Sequence, residues 1–127
     1  MVWYLDTSAF LKLIVFEDES SAMRSWFRSH NSIWSSQLLR TEALRAGSRL
    51  GITSNIIEDA LDTVSLILPT STTFLVAGQL LPATLCLLDA LHLAAAMEIG
   101  DDLEGMVAYG RLIQAALAIS VNVLSPQ

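Results

Sequence analysis

Three carboxylic acids in this sequence, Asp6, Glu42 and Asp89, stand where their side chains could act together. Carboxylates that lie close to one another repel, and at about 5 Å with an effective dielectric near 20 each pair costs roughly 3 kcal/mol. Such a group therefore binds a cation or keeps one carboxyl protonated. Hard carboxylate oxygens suit Mg²⁺ or Mn²⁺, and an ion with open coordination positions can bind a phosphate and activate a water. The three residues therefore predict a metal-dependent acidic site able to hydrolyse phosphodiester bonds.

The elements that must position these carboxylates follow from the hydrophobic pattern. Asp6 comes directly after an apolar run of strand-forming residues, Glu42 lies inside a predicted helix, and Asp89 lies at the start of another. Predicted strands cover residues 2–5, 33–35, 67–68, 106–109 and 120–124, and predicted helices cover residues 9–14, 19–28, 37–50, 55–66, 72–80, 88–97 and 111–117. This alternation predicts an α/β fold with a central, mostly parallel sheet flanked by helices. Because functional groups gather beyond the carboxyl ends of parallel strands, all three carboxylates are expected in one crevice.

Each carboxylate also has an ordinary structural explanation. Asp6 could cap the helix that follows it, and Asp89 could interact favourably with the dipole at the start of its own helix. Glu42 could form a surface ion pair with Arg45 or Arg49, which follow it at helical spacing. The joint occurrence of the three carboxylates, rather than any one of them, favours a site.

Two further reactive residues are expected to be structural. His92 follows Asp89 by one helical turn and could be a general base, but the apolar helix around it favours a buried histidine with satisfied hydrogen bonds. Cys86 is the only cysteine, so the fold contains no internal disulfide, and a small core residue is its expected role. A fold that does not rely on oxidation favours a cytoplasmic protein.

Composition bears on the number of domains and on the surface. With 127 residues, the chain is expected to form a single domain that spans residues 1–127. Its apolar fraction of 53 % and charged fraction of 16 % indicate either a membrane protein or one with an apolar interface. No run of about 18 apolar residues is present, which argues against a membrane protein. An apolar interface is therefore favoured, and a homodimer is expected.

The net charge of −6 at first argues against a nucleic acid partner. A bound divalent cation would reverse the local field, however, and the basic residues are unevenly placed. Five arginines fall in one early stretch: Arg24, Arg28, Arg40, Arg45 and Arg49. The stretch forms either a solvated surface or a face that contacts RNA, and both interpretations stay open.

Three segments resemble those of a known family: YLDTSAFLKL at residues 4–13, SSQLLRTEALRA at residues 35–46 and LDALHLA at residues 88–94. In order and spacing they are similar to PIN-domain ribonucleases, and more narrowly to the VapC toxins of bacterial and archaeal toxin–antitoxin pairs. The resemblance extends from Val2 to Pro126. It implies a PIN-like fold and an endoribonuclease that acts on RNA, often a structured RNA such as tRNA.

The resemblance also implies a role for each matched residue. Asp6 and Asp89 would hold a Mg²⁺ or Mn²⁺ ion, and Glu42 would complete the acidic site. Thr7 or Ser8 would support these carboxylates by hydrogen bonding. A cognate antitoxin protein would bind the enzyme and block the site.

One part of the sequence departs from the family pattern. Where the family usually has Thr-Tyr-Asp-Arg after a late strand, this chain has Ala-Tyr-Gly-Arg at residues 108–111. A fourth acidic residue is therefore missing at Gly110, and a hydroxyl is missing at Ala108. The alternative is a catalytically weakened or inactive PIN-fold protein that still binds an antitoxin. A phosphatase or DNA nuclease that uses similar carboxylates is a weaker possibility.

Overall fold

A five-stranded parallel sheet organises this computed structural model, which describes residues 1–127. The strands are β1 (Val2–Leu5), β2 (Ile33–Ser36), β3 (Ser65–Ile67), β4 (Leu103–Val107) and β5 (Val123–Leu124). Their order across the sheet is β3-β2-β1-β4-β5, and every neighbouring pair is parallel. The predicted α/β fold with a parallel sheet is therefore confirmed.

Seven helices connect the strands and cover the sheet. They are α1 (Thr7–Lys12), α2 (Ser20–Arg28), α3 (Leu38–Leu50), α4 (Ser54–Leu61), α5 (Ser71–Gln79), α6 (Leu87–Glu98) and α7 (Leu112–Ala118). One buried cluster joins the sheet to α1, α2, α3 and α4, and a second joins it to α6 and α7. The sheet thus lies between two helical layers, as a right-handed parallel connection on each side requires.

The central strand β1 contributes to both cores, because successive residues of a strand point to opposite faces. Leu5 packs in the first layer and Tyr4 in the second. The largest fully buried apolar side chains around them are Phe10, Met23, Leu39, Ile57, Leu61, Leu93, Met106 and Leu112. Burying such a side chain contributes about 1.5–3 kcal/mol. Packing on both faces therefore fixes the carboxyl end of β1, where the first candidate residue lies.

Local capping sets the helix ends nearest the candidate residues. Asp6 is the N-cap of α1, and its side chain accepts a hydrogen bond from the Ser8 backbone N–H. Helix α3 starts shortly after β2 and ends at Gly51, as predicted. Helix α6 follows Cys86, and Asp89 lies in its first turn.

Two predicted boundaries near the third strand are wrong. Helix α4 ends at Leu61 instead of continuing to residue 66, and β3 begins at Ser65 instead of residue 67. The apolar residues that favoured a longer helix belong to the turn and to the strand. Val64 is buried in the first core and Leu66 packs against it, so both meet the hydrophobic requirement without being helical.

The fourth strand also starts and ends earlier than predicted. It covers Leu103–Val107 rather than residues 106–109. The sequence did not predict the first residues of this strand because they include Gly105, and glycine is uncommon inside strands. Gly105 is needed there, since a Cβ at this position would lie 2.7 Å from the Asn122 carbonyl oxygen. The strand ends before Ala108, which is buried but belongs to the loop beyond the sheet.

The last strand is shorter than predicted, and covers Val123–Leu124 instead of residues 120–124. Ser120 has a positive φ of 62°, so the chain turns there before it pairs with β4. The other predicted helices are present, and their boundaries differ by at most a few residues from those observed.

Large apolar side chains are exposed around α5 and the start of α6. Phe74 and Leu75 lie on α5, Leu81 follows that helix, and Leu87 begins α6; each exposes more than half of its surface. None of the helices has the length and apolar character needed to cross a membrane. The exposed apolar side chains lie on the surface of the α/β fold and are available to form an interface.

Candidate active site

The three predicted carboxylates line one cleft of about 350 Å³ at the carboxyl end of the sheet. Asp6 directly follows β1, Glu42 lies in the second turn of α3, and Asp89 lies in the first turn of α6. The other residues that line the cleft are Thr7, Ser8, Leu11, Tyr109, Gly110, Arg111 and Leu112. The structure therefore brings Asp6, Glu42 and Asp89 together, as parallel-sheet geometry leads one to expect.

Asp6 is buried at the floor of this cleft and is held by Ser8. Its Oδ2 accepts hydrogen bonds from the Ser8 backbone N–H at 3.3 Å and from the Ser8 Oγ at 2.7 Å. Ser8 Oγ also accepts from the backbone N–H of Tyr109, which ties α1 to the loop after β4. Burial raises the pKa of Asp6, and the nearby His92 and the Ser8 hydrogen bonds offset this only in part. A cation near Asp6 would favour its charged form.

Glu42 is held from two sides by buried polar groups. Its Oε1 accepts a hydrogen bond from Thr7 Oγ1 at 2.9 Å and lies 2.5 Å from His92 Nε2. His92 Nε2 also lies 3.2 Å from Thr7 Oγ1, and His92 Nδ1 lies 2.7 Å from the Tyr4 hydroxyl. Side chains from β1, α1, α3 and α6 thus meet in one continuous network beneath the cleft.

His92 is buried, as the sequence predicted, and all its polar atoms have partners. The sequence did not predict that one of these partners would be Glu42, a candidate site residue 50 positions away. Burial alone would lower the pKa of His92, but the Glu42 hydrogen bond and the charges of the three carboxylates outweigh it. The pKa of His92 is therefore raised, which favours the imidazolium beside these carboxylates.

Asp89 faces a different kind of partner. Its Oδ2 accepts a hydrogen bond of 2.7 Å from Arg111 Nε, and this contact raises the pKa of Arg111. The Arg111 side chain is 76 % exposed, so water competes for it. Arg111 Nη2 also lies 3.5 Å from the Cys86 Sγ. Cys86 is half-buried at the N-cap of α6, so its expected placement in the core is wrong.

The three carboxylates of this cleft lie in a part of the chain that matches a known family. The PIN domain model matches residues 3–103. The chain belongs to the PIN domain family.

Two curated relatives extend this finding to nearly the whole chain. Ribonuclease VapC46 of Mycobacterium tuberculosis (strain ATCC 25618 / H37Rv) is 38 % identical over 125 residues, which cover 97 % of this chain and 96 % of the relative. Ribonuclease VapC47 of Mycobacterium tuberculosis (strain CDC 1551 / Oshkosh) is 33 % identical over 133 residues, with the same two coverages. This PIN-domain chain is thus homologous to VapC ribonucleases, and the resemblance found in its sequence is confirmed.

The donor chemistry of the PIN-domain cleft fits a hard divalent cation held by two carboxylates. No group of three His, Cys, Asp or Glu side chains is arranged to hold a metal ion. Mg²⁺ in proteins is commonly bound by only one or two carboxylates, with waters and substrate phosphate at its other positions. The pair expected from the sequence, Asp6 and Asp89, lines the same cleft and supplies such oxygens. A cation there would also offset the unfavourable burial of the Asp6 carboxylate.

The position of the missing fourth acid also lies on this cleft. Gly110 lines it, has a φ of +77°, and has open space where a Cβ would be. Asp and Asn tolerate this left-handed conformation better than other residues with a side chain. A carboxylate at position 110 would thus have room beside Asp89.

The arginines between residues 24 and 49 differ in their partners and in their exposure. Arg40 pairs with Glu58, and Arg24 donates to a backbone carbonyl. Arg45 and Arg49 are exposed and form no salt bridge, so the ion pair considered for Glu42 with either of them is absent. Whether this exposed pair is merely solvated or contacts RNA stays open on geometry alone.

Proposed function

We propose that this PIN-domain protein is a metal-dependent endoribonuclease, the toxin of a toxin–antitoxin pair, whose catalytic residues are Asp6, Glu42 and Asp89. The observation that carries the proposal is the meeting of these three carboxylates in one cleft of a VapC homologue. In this proposal residues 1–127 form one PIN-like domain that acts on RNA in the cytoplasm.

The proposed mechanism gives each residue of the cleft a task. Asp6 and Asp89 would hold Mg²⁺ or Mn²⁺, which when bound would activate a water and stabilise charge on the phosphate. Ser8 keeps the Asp6 carboxylate oriented through its two hydrogen bonds. Glu42 receives both of its hydrogen bonds on Oε1, so Oε2 is the oxygen left to accept a proton from a water in the cleft. Arg111, being largely exposed, is free to exchange Asp89 for a phosphate of the substrate.

Two exposed arginines support RNA as the substrate. At 100° and 1.5 Å per residue, Arg45 and Arg49 lie about 60° and 20° around α3 from Glu42, and about 4.5 Å and 10.5 Å further along its axis. They therefore continue the helix face that begins in the cleft. In a chain with a net charge of −6, unpaired cations beside the acidic site would offset the repulsion of a phosphate backbone.

The arginine pair can be tested with labelled RNA in the absence of divalent cations. We expect the double variant Arg45→Gln/Arg49→Gln to bind more weakly and to reduce the slope of log affinity against log salt by about 2. The double variant Arg24→Gln/Arg28→Gln carries the same loss of charge on α2 and should keep the wild-type slope. Equal slopes for both double variants would remove the arginine pair from the RNA surface.

A homodimer and an antitoxin complex are the proposed assemblies. The exposed apolar side chains of α5 and the start of α6 support an interface, since exposed apolar patches often mark protein–protein contacts. An antitoxin that binds an acidic cleft would offer it a cationic side chain. A monomer in light scattering at micromolar concentration would contradict the dimer.

One observation favours the alternative of a weakened or inactive binding protein. Gly110 leaves the cleft without a fourth carboxylate, and Arg111 already neutralises Asp89. Such a protein would bind its antitoxin, and RNA as well, without cutting.

The deciding experiment is a cleavage assay on total RNA with Mg²⁺ or Mn²⁺, comparing wild type, Asp89→Asn and Gly110→Asp. We expect wild type to cut and Asp89→Asn to fall by more than about 100-fold, because even residues that only support metal ligands contribute 10- to 100-fold. If Gly110→Asp alone cuts, the natural protein is the weakened form. If none of the three cuts RNA in either metal, the enzyme proposal fails.

A further inference from the structure

We propose that His92 is a positioning residue that fixes the Glu42 carboxylate and ties the helix that carries Glu42 to the helix that carries Asp89. This inference rests on the proposed ribonuclease function for its kinetic consequences, but its geometry does not depend on that function. His92 itself lies beneath the cleft and does not line it.

The first support is the placement of His92 between two site-bearing helices. His92 and Asp89 are three residues apart on α6, so their side chains lie on neighbouring parts of one helix face. Across the cleft, His92 Nε2 is 2.5 Å from Glu42 Oε1 on α3. This is the one side-chain hydrogen bond between α6, which bears Asp89, and the Glu42 carboxylate. It therefore couples the position of Glu42 to that of α6.

The second support is the direction in which each hydrogen must point. An ionised Glu42 can only accept, so the hydrogen of this contact is on His92 Nε2. On the other side of the ring, the buried Tyr4 hydroxyl lies 2.7 Å from Nδ1. That hydroxyl can donate to Nδ1 of a neutral ring or accept from Nδ1 of an imidazolium. In either state Tyr4 orients the ring so that Nε2 faces Glu42.

The third support is that both partners of Glu42 act on the same oxygen. Thr7 and His92 both contact Oε1, which fixes one end of the carboxylate and leaves Oε2 without a hydrogen bond. Thr7 is next to Asp6 in sequence, so its contact ties the carboxyl end of β1 to Glu42 as well. A side chain held at one oxygen by two buried partners has lost most of its rotational freedom before any substrate arrives.

Two substitutions separate positioning from simple packing. In His92→Gln the side-chain amide nitrogen falls near the place of Nε2 and can still donate to Glu42. In His92→Asn the shorter amide falls near Nδ1 and can serve only the Tyr4 side. We expect His92→Asn to lower kcat about 10- to 100-fold with little change in KM, the range found when groups that orient an active site are lost. His92→Gln should keep a kcat close to wild type, although both variants lose the ring and its packing.

The result that overturns the inference is an equal loss of kcat in the two variants when their unfolding temperatures agree, or an unchanged kcat in both. An activity-independent readout is the ¹⁵N spectrum of the wild-type His92 ring. Glu42→Gln should shift the Nε2 resonance strongly, while Thr63→Val, which removes an exposed hydroxyl far from the ring in sequence, should leave it in place. If wild type cuts no RNA, the kcat values cannot be compared, and the spectrum alone decides the positioning role. If the His92 Nε2 resonance has the same chemical shift in Glu42→Gln as in wild type, the positioning role is overturned.

Discussion

The two sides of the acidic cleft are built on opposite principles. On one side, Glu42 is only 21 % exposed and contacts His92, which is 1 % exposed, and Thr7, which is also buried. On the other, Asp89 is paired with Arg111, whose side chain is 76 % exposed. The first side is preformed, because few rotamers satisfy its hydrogen bonds. The second is adjustable, because the Asp89 side chain is only 13 % exposed but its partner Arg111 is largely in water, where it is readily exchanged.

This contrast suits the proposed site, which would accept a cation and a polyanion. A fixed carboxylate can orient a water without reorganisation, whereas a carboxylate with a weakly held partner can release it to a metal ion. The same contrast predicts that substitutions on the buried side change stability, while substitutions on the open side change ligand binding.

The largest effect on stability is expected from removing the Thr7 hydroxyl. Thr7→Val keeps the shape of the side chain but leaves Glu42 and His92 with one buried partner fewer. We expect the free energy of unfolding to fall by about 2 kcal/mol, the usual range for a hydrogen bond to a charged group. Urea denaturation measures it. Thr7→Ser keeps the hydroxyl and is the matched control, so an equal loss in both variants would contradict a role for this hydrogen bond.

A gain of stability is expected from Asp6→Asn, since this substitution removes a buried charge but keeps an oxygen for the Ser8 hydrogen bonds. In the folded protein Asp6 keeps its proton to a higher pH than the ordinary aspartate value of 3.8. Between these two pKa values the unfolded chain releases the proton and the folded chain does not, so the free energy of unfolding of wild type falls as pH rises. The variant avoids that loss.

The size of the Asp6→Asn effect should therefore depend on pH. At neutral pH and without divalent cations we expect the variant to be more stable by about 1 kcal/mol, a common size for a stabilising substitution. The difference should vanish below the ordinary pKa of aspartate, where both states are protonated. Added MgCl₂ should stabilise wild type and not the variant, because only wild type retains the charged ligand. A less stable variant at neutral pH would show that the Asp6 charge favours the fold.

The smallest effect on stability is expected from Arg111→Gln on the open side. This variant should have a free energy of unfolding close to that of wild type, since the Arg111 guanidinium is largely in water. With its competitor removed, Asp89 should bind Mn²⁺ more tightly, which isothermal titration can measure. If Arg111→Gln lost as much stability as Thr7→Val, the two sides of the cleft would not differ in their contribution to folding.

The sequence was sufficient for the fold and for the meeting of the three carboxylates. Asp6 follows strand β1 as an N-cap, and Glu42 and Asp89 lie on helices that follow other strands. This order along the chain places all three carboxylates at the carboxyl end of a parallel sheet. Two of the boundaries that it misplaced lie at β4 and α4, where Ala108 and Val64 are buried outside regular elements. Burial and periodicity coincide only inside helices and strands, so short apolar runs at their ends mislead.

The hydrogen-bond partners of the three carboxylates could not be predicted from the sequence. His92 is buried as predicted, yet its contact with Glu42 depends on how closely α3 approaches α6 across the top of the sheet. Arg111 reaches Asp89 for a similar reason, because the turn at Gly110 aims it back toward α6. Such distances come from packing of many side chains, and no local spacing encodes them.

The open, left-handed backbone at Gly110 also has a genetic consequence. Every glycine codon differs from an aspartate or glutamate codon by a single nucleotide, and no neighbouring atom lies within 4 Å of a Cβ at position 110, although its φ of +77° strains any side chain. Cells that carry randomly mutated copies of the gene can therefore acquire an additional acidic residue at position 110 in one mutational step. If a selection for increased RNA cleavage yields variants that cluster at codon 110, one nucleotide separates this chain from a more active nuclease.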